Sequence, residues 1–571
     1  IIITMILISI PVIVAAILIT IKANNSLRFL LRKEKLRNLH KQIINLSKEE
    51  LDALEKRKSE LEFQLSNNEL AGSALVEDNR GLIGNVINSD EPQFIEQKKK
   101  SQYRPAINPA LTKLILWFIG MSLIWLLFGT TIGLYLGIKF VSPDIDQLEY
   151  LSFGRLRPVH TNVVFWGWAS LAMIGLAYYL VPKVSNIRLI SIRKGYITLW
   201  LLNIAIIVGT ITLMLGLNNG GGEYREFIWP VMLMFGAGIV VSLQNFIYAI
   251  AKRKTKEIYV SNWYIISAMM FLLVIVVIAY LPFWQDGLGE TIIQGYYMHQ
   301  GVGMWFMLFC LGLMYYFLPQ QLNKPIYSYS LGILAFWTQI LFYTLIGTHH
   351  FIFSAIPWWL QTVAIVGSVG MIIPVVAGTT NFLMTFKGAW NKVSKSYTLP
   401  FYIIGIIFYF TGSLQGTAEA FRFTNQVWHF TDFTVAHSHL TMYGIISFML
   451  WGFIYTLVPR LTGKEPSFIL VGAHFWFALI GLLMYAVPLM YGSTLKGISW
   501  MKGESFIQSV ELMAPFWLWR AIGGTLMWIS HVLFGINFIR MVRRKKEIHI
   551  PKTAIEILQL RKTLLKEHSK I

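Results

Sequence analysis

Six of the twelve histidines of this chain, His160, His299, His349, His350, His437 and His439, fall inside or at the ends of long apolar segments. An imidazole is costly there and is kept for function. In His437-Ser438-His439 the two rings are two residues apart. On a helix they point about 200° from one another, so they face opposite sides and cannot share one metal. They can serve two separate groups. Haem iron accepts imidazole axially; a lone axial histidine leaves the far face open for a substrate, and a second histidine closes it. One helix could therefore carry an open haem and a closed haem side by side. His349-His350, with His299 one segment earlier, offers three neutral imidazoles, a set that suits copper or another late first-row metal. Opposite an open haem iron, such a metal forms a two-metal pocket for a small diatomic molecule. His160 remains as partner for the closed haem. His429, His474 and His531 read by default as hydrogen-bonded residues between helices.

The elements that must position these side chains are membrane helices. Of 571 residues, 55% are hydrophobic, 15% aromatic and only 14% charged, with a mean hydropathy of +0.55. A soluble domain carries about a quarter charged residues, and a disordered chain needs low hydrophobicity; both classes are excluded. Twelve long apolar segments lie near 112–137, 160–182, 196–217, 228–251, 260–281, 296–318, 328–351, 358–386, 399–418, 434–458, 468–492 and 511–541. The organisation expected is an N-terminal membrane anchor at 1–24, a charged cytoplasmic helical segment and linker at 25–110, a twelve-helix core at 111–541 and a basic cytoplasmic tail at 542–571. Residues 1–21 are long enough to span a bilayer and lack a basic n-region and a cleavage site, so they read as an anchor rather than a signal peptide. Ser47-Lys48-Glu49-Glu50 fits a helix capping box.

The net charge of +20 comes from 49 Lys and Arg against 29 Asp and Glu. It gathers in alternate connections: Lys183, Arg188, Arg193 and Lys194; Lys252, Arg253, Lys254 and Lys256; Lys387, Lys392 and Lys395; Arg540, Arg543, Arg544, Lys545 and Lys546. The opposite connections carry Asp144, Asp146, Glu149, Glu223, Glu226, Asp286 and Glu290. That is the asymmetry of a membrane topology, not of nucleic-acid binding. It puts both ends of the core inside and all six histidines toward the outer face. The single Cys310 excludes a disulfide framework and covalent c-type haem attachment by this chain.

With the histidines placed, the sequence resembles the main subunit of the haem–copper oxidase superfamily, and most closely the catalytic subunit of the cbb3-type (C-family) cytochrome c oxidases. The stretches that carry the resemblance are GRLRPVH (154–160), MHQGVGMWF (298–306), YYFLPQQLNKPIYSY (315–329), YTLIGTHHFIFSAIPWWLQ (343–361), GAW (388–390), WHFTDFTVAHSHL (428–440) and VPRLTG (458–463), over about residues 110–541. The resemblance implies an all-α, polytopic fold of twelve transmembrane helices, to which this chain adds its N-terminal anchor. It implies His160 and His439 as axial pair of a low-spin haem b, His437 as proximal ligand of a high-spin haem b, and His299, His349 and His350 on copper. Tyr343, six residues before His349, stands where the family has the tyrosine cross-linked to a copper-binding histidine, which gives a proton and an electron when O–O is cleaved. Arg157 and His429 are placed to meet haem propionates, Glu223 and Glu226 fall where the family binds calcium, and Tyr315 belongs to its proton path. The implied reaction is reduction of dioxygen to water with electrons from c-type cytochrome subunits of the same complex, coupled to proton translocation, in a bacterial cytoplasmic (inner) membrane, among lipid and without nucleic acid.

Two positions depart from that family. Gln415-Gly416 replaces Glu-Gly, and an amide cannot exchange a proton as a carboxylate does. Gly332 stands where a serine of the proton path is expected. HSHLTMYG (437–444) looks more like the nitric oxide reductases, which hold non-haem iron with added glutamates. The positions of those glutamates are Gly303 and Met371 here, and that family lacks the tyrosine matched by Tyr343, so the metal site favours the oxidase. A twelve-helix secondary transporter is the non-enzymatic alternative; it would show interrupted helices and repeated halves, and the histidine pattern does not repeat.

Overall fold

The computed structural model describes residues 108–543 apart from 221 and 282–285, together with isolated residues of the N-terminal region, Ile17, Ser47 and a few between 49 and 56. The anchor, most of the 25–110 segment and nearly all of the basic tail lie outside the described residues. The capping box does not: Ser47 N–H donates to Glu50 Oε2 at 2.8 Å and Glu50 N–H to Ser47 Oγ at 3.3 Å, the reciprocal pair that satisfies two helix-terminal donors.

Among the described residues the fold is all-helical, with eleven helices long and apolar enough to cross a membrane. The seventh expected segment, 328–351, is divided. Its α-helix covers only Tyr329–Tyr343, and His349 and His350 sit beyond it on a 3-10 turn, Gly347–Phe351. The sequence reading put the pair at the end of the helix itself. The short turn lifts two consecutive imidazoles off the helical spiral, which is how neighbours in sequence reach one point. The eighth segment also breaks, at Met371, between Trp358–Gly370 and Ile372–Thr385.

Three helices form the centre. Phe153–Val184, Leu288–Leu322 and Phe433–Thr462 are buried over 94% of their apolar window, against 39–72% for the other long helices. Each carries a π-helical segment: Val163–Ala169, Gln300–Met307 and Leu440–Ser447. Each segment starts one to three residues after His160, His299 or His439. The π-turn is rare and recurs at functional sites. Side chains of these segments tie the central helices together, Trp305 Nε1 donating to Ser170 Oγ and Trp168 Nε1 to Ser447 Oγ, both at 3.0 Å. Around them the outer helices present apolar faces, with Trp117, Trp200, Leu233 and Val274 at least half exposed, as expected of side chains that meet lipid.

Candidate metal centre

Two sites lie at the same end of the central helices. In the first, the rings of His160 and His439 stand 6.4 Å apart and nearly parallel, 14° between planes. His160 Nδ1 meets the Gly129 carbonyl at 2.7 Å and His439 Nδ1 the Val435 carbonyl at 2.8 Å. Fixing Nδ1 on a backbone carbonyl sets the tautomer and leaves Nε2 as ligand atom. Two imidazoles axial to one metal place their centroids roughly 6 Å apart, about 2 Å of bond and 1 Å of ring on each side, so the spacing fits a metal held between them. Gly133 is part of the arrangement: a Cβ there would come within 2.5 Å of the His160 ring.

The pair opens into a cavity of about 450 Å³. Its rim is charged. Arg157 lines it, ion-paired with Glu223, and so do Lys496 and Arg520, 3.8 and 3.5 Å from the Asp432 carboxylate. Arg520 Nε and Nη1 are buried and make no hydrogen bond. Buried guanidinium donors seek an acceptor, and the carboxylates of a haem would supply one. Sequence reasoning missed Lys496 and Arg520, although an arginine within an apolar helix is itself a signal. His429, expected like Arg157 to meet a haem propionate, does not line this cavity; its ring packs on Phe430 and its Nδ1 lies 3.3 Å from Asn425 Nδ2.

In the second site His299, His349 and His350 bring ligand nitrogens within 4.8 Å of one another. His299 Nε2 and His349 Nε2 are 2.6 Å apart, and His349 Nδ1 is held by Ser368 Oγ at 2.7 Å. Carboxylates and thiolates are absent from the cluster among the described residues, so the donors are three borderline nitrogens with a free side, the set expected for copper. Tyr343 packs edge-on against His299, centroids 4.9 Å apart. Its ring fills the space beside Gly303, where a Cβ would come within 1.7 Å of it.

His437 faces away from the first site. Its Nδ1 meets Gln415 Oε1 at 2.9 Å, and Glu419, one turn further along Leu399–Glu419, brings Oε1 to 3.3 Å of the same nitrogen. That oxygen finds no hydrogen-bond partner. Glu419 escaped the sequence reading; an acidic residue four after Gln415 at the end of an apolar helix was the available signal. The loop carboxylate Glu226 accepts from Asn162 Nδ2 at 2.8 Å, and burial raises its pKa to about 7. Tyr315 lies deeper, its ring on Tyr264 and its hydroxyl 3.5 Å from Asn381 Nδ2. Gly332 borders it, so a serine there would have stood against the Tyr315 ring.

Residues 113–526 match the family described as Cytochrome C and Quinol oxidase polypeptide I. The chain is 30% identical over 453 residues to the cbb3-type cytochrome c oxidase subunit CcoN1 of Stutzerimonas stutzeri, covering 76% of this chain and 95% of that protein. It is 31% identical over 434 residues to a cytochrome c oxidase subunit 1 homolog of Agrobacterium tumefaciens, 72% and 80% of the two lengths. Similarity to a nitric oxide reductase polypeptide of Stutzerimonas stutzeri is lower, 24% over 496 residues, 80% and 98% of the two lengths. Among solved structures, a haem–copper terminal oxidase dimer shares the fold with a TM-score of 0.66 at 16% identity, over 78% of this chain and 86% of that one.

Proposed function

The chain belongs to the cytochrome c and quinol oxidase polypeptide I family, and from that premise we propose that it is the cbb3-type catalytic subunit of a haem–copper terminal oxidase that reduces dioxygen to water and moves protons across the membrane. The observation that carries the reading is the Tyr343 ring in the place a 303 side chain would need, beside a cluster of three histidines. A nitric oxide reductase glutamate at 303 and a tyrosine at 343 exclude one another sterically, and this chain has the tyrosine.

In this reading His160 and His439 hold a low-spin haem b, His437 a high-spin haem b, and His299, His349 and His350 a copper ion. These groups supply one-electron chemistry and the binding of dioxygen. The protein's own part is to orient and to move protons. Gly129 and Val435 carbonyls fix the two axial rings, and Ser368 fixes His349. Arg157, Lys496 and Arg520 neutralise acidic groups at the rim. His429 stands beside Asn425 and Phe430, on the connection that leads to His437. Tyr343, packed edge-on against His299, supplies the proton at Oη, and protons reach it from the basic face past Tyr315. Glu223 and Glu226 offer the hard oxygens that calcium takes; Glu223 is already paired with Arg157, so a calcium ion there shares its carboxylate.

Electrons enter at the outer face from c-type cytochrome subunits, since this chain has no attachment motif of its own. The membrane is the bacterial inner membrane. The test is the copper-to-iron ratio of the purified complex, with haem counted separately. One copper per catalytic polypeptide, with all iron present as haem, is the result expected. Absent copper with one iron beyond the haems overturns it in favour of nitric oxide reduction.

A further inference from the structure

The helix of Tyr343 meets the π-segment after His299 through two glutamines that the oxidase reading does not use. Gln339, on Tyr329–Tyr343, is fully buried and donates from Nε2 to the Gly303 carbonyl at 3.3 Å. Gln300, the first residue of Gln300–Met307, is buried too and donates from Nε2 to the Tyr343 carbonyl at 3.1 Å. Residues 339 and 343 are four apart, so they share one face of their helix. The two bonds therefore run as a pair of rungs, from 339 to 303 in one direction and from 300 to 343 in the other. The residues they tie, Gly303 and Tyr343, are the two that compete for one space.

Tyr343 ends its helix, where the last carbonyls have no partner within the helix itself; Gln300 supplies a donor to one of them. The Gly303 carbonyl takes the Leu308 N–H within the π-turn, and its second lone pair serves Gln339. Both partners are carbonyls, which only accept, so each amide must turn its nitrogen toward the opposite helix. Its oxygen is then committed to the other side, and neither Gln300 Oε1 nor Gln339 Oε1 finds a hydrogen-bond partner. An unpaired buried acceptor is costly, and a methionine would fill much the same volume without that cost. Filling space does not account for glutamine at either position; holding the two backbones together does. The contact needs such a hold. Gly303 has no side chain to interlock, and on the outward side Leu334, Trp337 and Leu341 are exposed, so packing within this chain does not press the helix inward.

We propose that Gln300 and Gln339 form a reciprocal amide clamp that fixes how closely the Tyr343 helix approaches the π-segment, and so holds the Tyr343 phenol against His299. The clamp's place in catalysis rests on the reading of Tyr343 as proton donor. The phenol ring stands edge-on to His299, with centroids 4.9 Å apart. It enters the space left by the missing side chain of Gly303, and only a helix drawn in to that depth can put it there. Release of either rung lets the helix settle outward and takes the phenol with it. Neither glutamine touches the reacting atoms; both are positioning residues. His349 is held separately, by Ser368, so the three metal histidines should keep their ion when the clamp is cut.

Density maps and oxygen kinetics on the full complex decide it. In the parent, both amide nitrogens should lie within hydrogen-bond distance of their carbonyls; either one elsewhere overturns the clamp. Gln339→Met keeps the volume and removes a donor. In that variant the Tyr343 and His299 rings should move apart by about 1 Å or more, and kcat should fall by about tenfold or more, the scale of a small misplacement. Copper content, both haem spectra and the KM for oxygen should stay as in the parent. A loss of stability alone would lower the yield of complex and leave the rings and the kcat of each assembled molecule unchanged. Rings unmoved in Gln339→Met overturn the clamp, whatever the turnover. Rings displaced with turnover intact leave the clamp standing and overturn the donor role of Tyr343 instead. Gln300→Met cuts the other rung from the other helix, and decides in the same way where Gln339→Met fails to assemble.

Discussion

Tyr343 occupies the space that any side chain at position 303 would need: a Cβ on Gly303 would lie 1.7 Å from two carbons of the Tyr343 ring. The glycine is therefore the steric partner of the tyrosine, and the two positions form a single choice between a phenol and a carboxylate beside the metal histidines. Gly303→Ala should displace the phenol and lower oxygen reduction at least tenfold. Tyr343→Phe, which keeps the ring, should retain copper and both haem spectra and lose about 100-fold or more in turnover, the scale of a removed proton donor. Metal analysis and oxygen consumption on the two variants check this; full turnover in Tyr343→Phe would refute the donor role.

His437 and His439 should separate cleanly in spectra. His439→Ala removes one side of the parallel pair with His160 and should abolish the low-spin haem signal while carbon monoxide still binds the other haem. His437→Ala should do the reverse. Gly133→Val should resemble His439→Ala in its spectrum, because its Cβ would press on the His160 ring. Loss of the same haem in both histidine variants would contradict the two-sided helix.

The acceptor on His437 Nδ1 should tune the iron–histidine bond. Gln415 and Glu419 both reach that nitrogen, at 2.9 and 3.3 Å. A carboxylate acceptor makes the imidazole a stronger ligand than an amide does. In resonance Raman of the reduced enzyme, Gln415→Glu should raise the iron–histidine stretching frequency and Glu419→Gln should lower it. Turnover should change by 10- to 100-fold, about the usual range for such partners. An unmoved frequency in Glu419→Gln would show that the 3.3 Å approach carries no interaction.

Glu226 makes the outer loop sensitive to pH. Burial raises its pKa from the ordinary 4.5 to about 7, so the folded state binds a proton that the unfolded chain releases. Stability is then greatest below the ordinary value and falls as pH rises from 4.5 to about 7, by about 3 kcal/mol at most. Thermal inactivation of the complex should shift to lower temperature between about pH 4.5 and 7, and Glu226→Gln should remove most of that shift. An equal shift in the variant would assign it to other groups.

The all-helical membrane fold and the grouping of the histidines were legible because lipid and metal impose strong rules: long apolar runs, and imidazoles where imidazoles are costly; of the twelve expected spans, eleven are long enough to cross a membrane among the described residues. The opposed faces of His437 and His439 followed from helical geometry alone. The 3-10 turn under His349 and His350 did not, since a pair at a helix end and a pair beyond it read alike in sequence. Nor did the placing of His429 away from the His160 cavity, because a residue between two helix ends can turn toward either site. Glu419 and Arg520 were hidden by distance along the chain: 18 and 81 residues separate them from His437 and His439, and only packing brings them near. The Gln300–Tyr343 and Gln339–Gly303 contacts are likewise invisible before the helices are packed, as they join separate helices.

The three π-segments bear on how this protein can change over generations. Each adds one residue to a turn, so the part of the helix below it is rotated relative to an uninterrupted spiral. Loss of a single codon within 163–169, 300–307 or 440–447 would return the turn to α geometry and swing everything on one side of it by about 100° relative to the other. The histidine would then keep its place only if the Trp305–Ser170 or Trp168–Ser447 contact at the other end were lost. Substitution can reshape these helices, but insertion and deletion cannot. Heritable changes in length should therefore collect in the connections and at the ends of the outer helices, leaving the three central helices with a residue count frozen in descent.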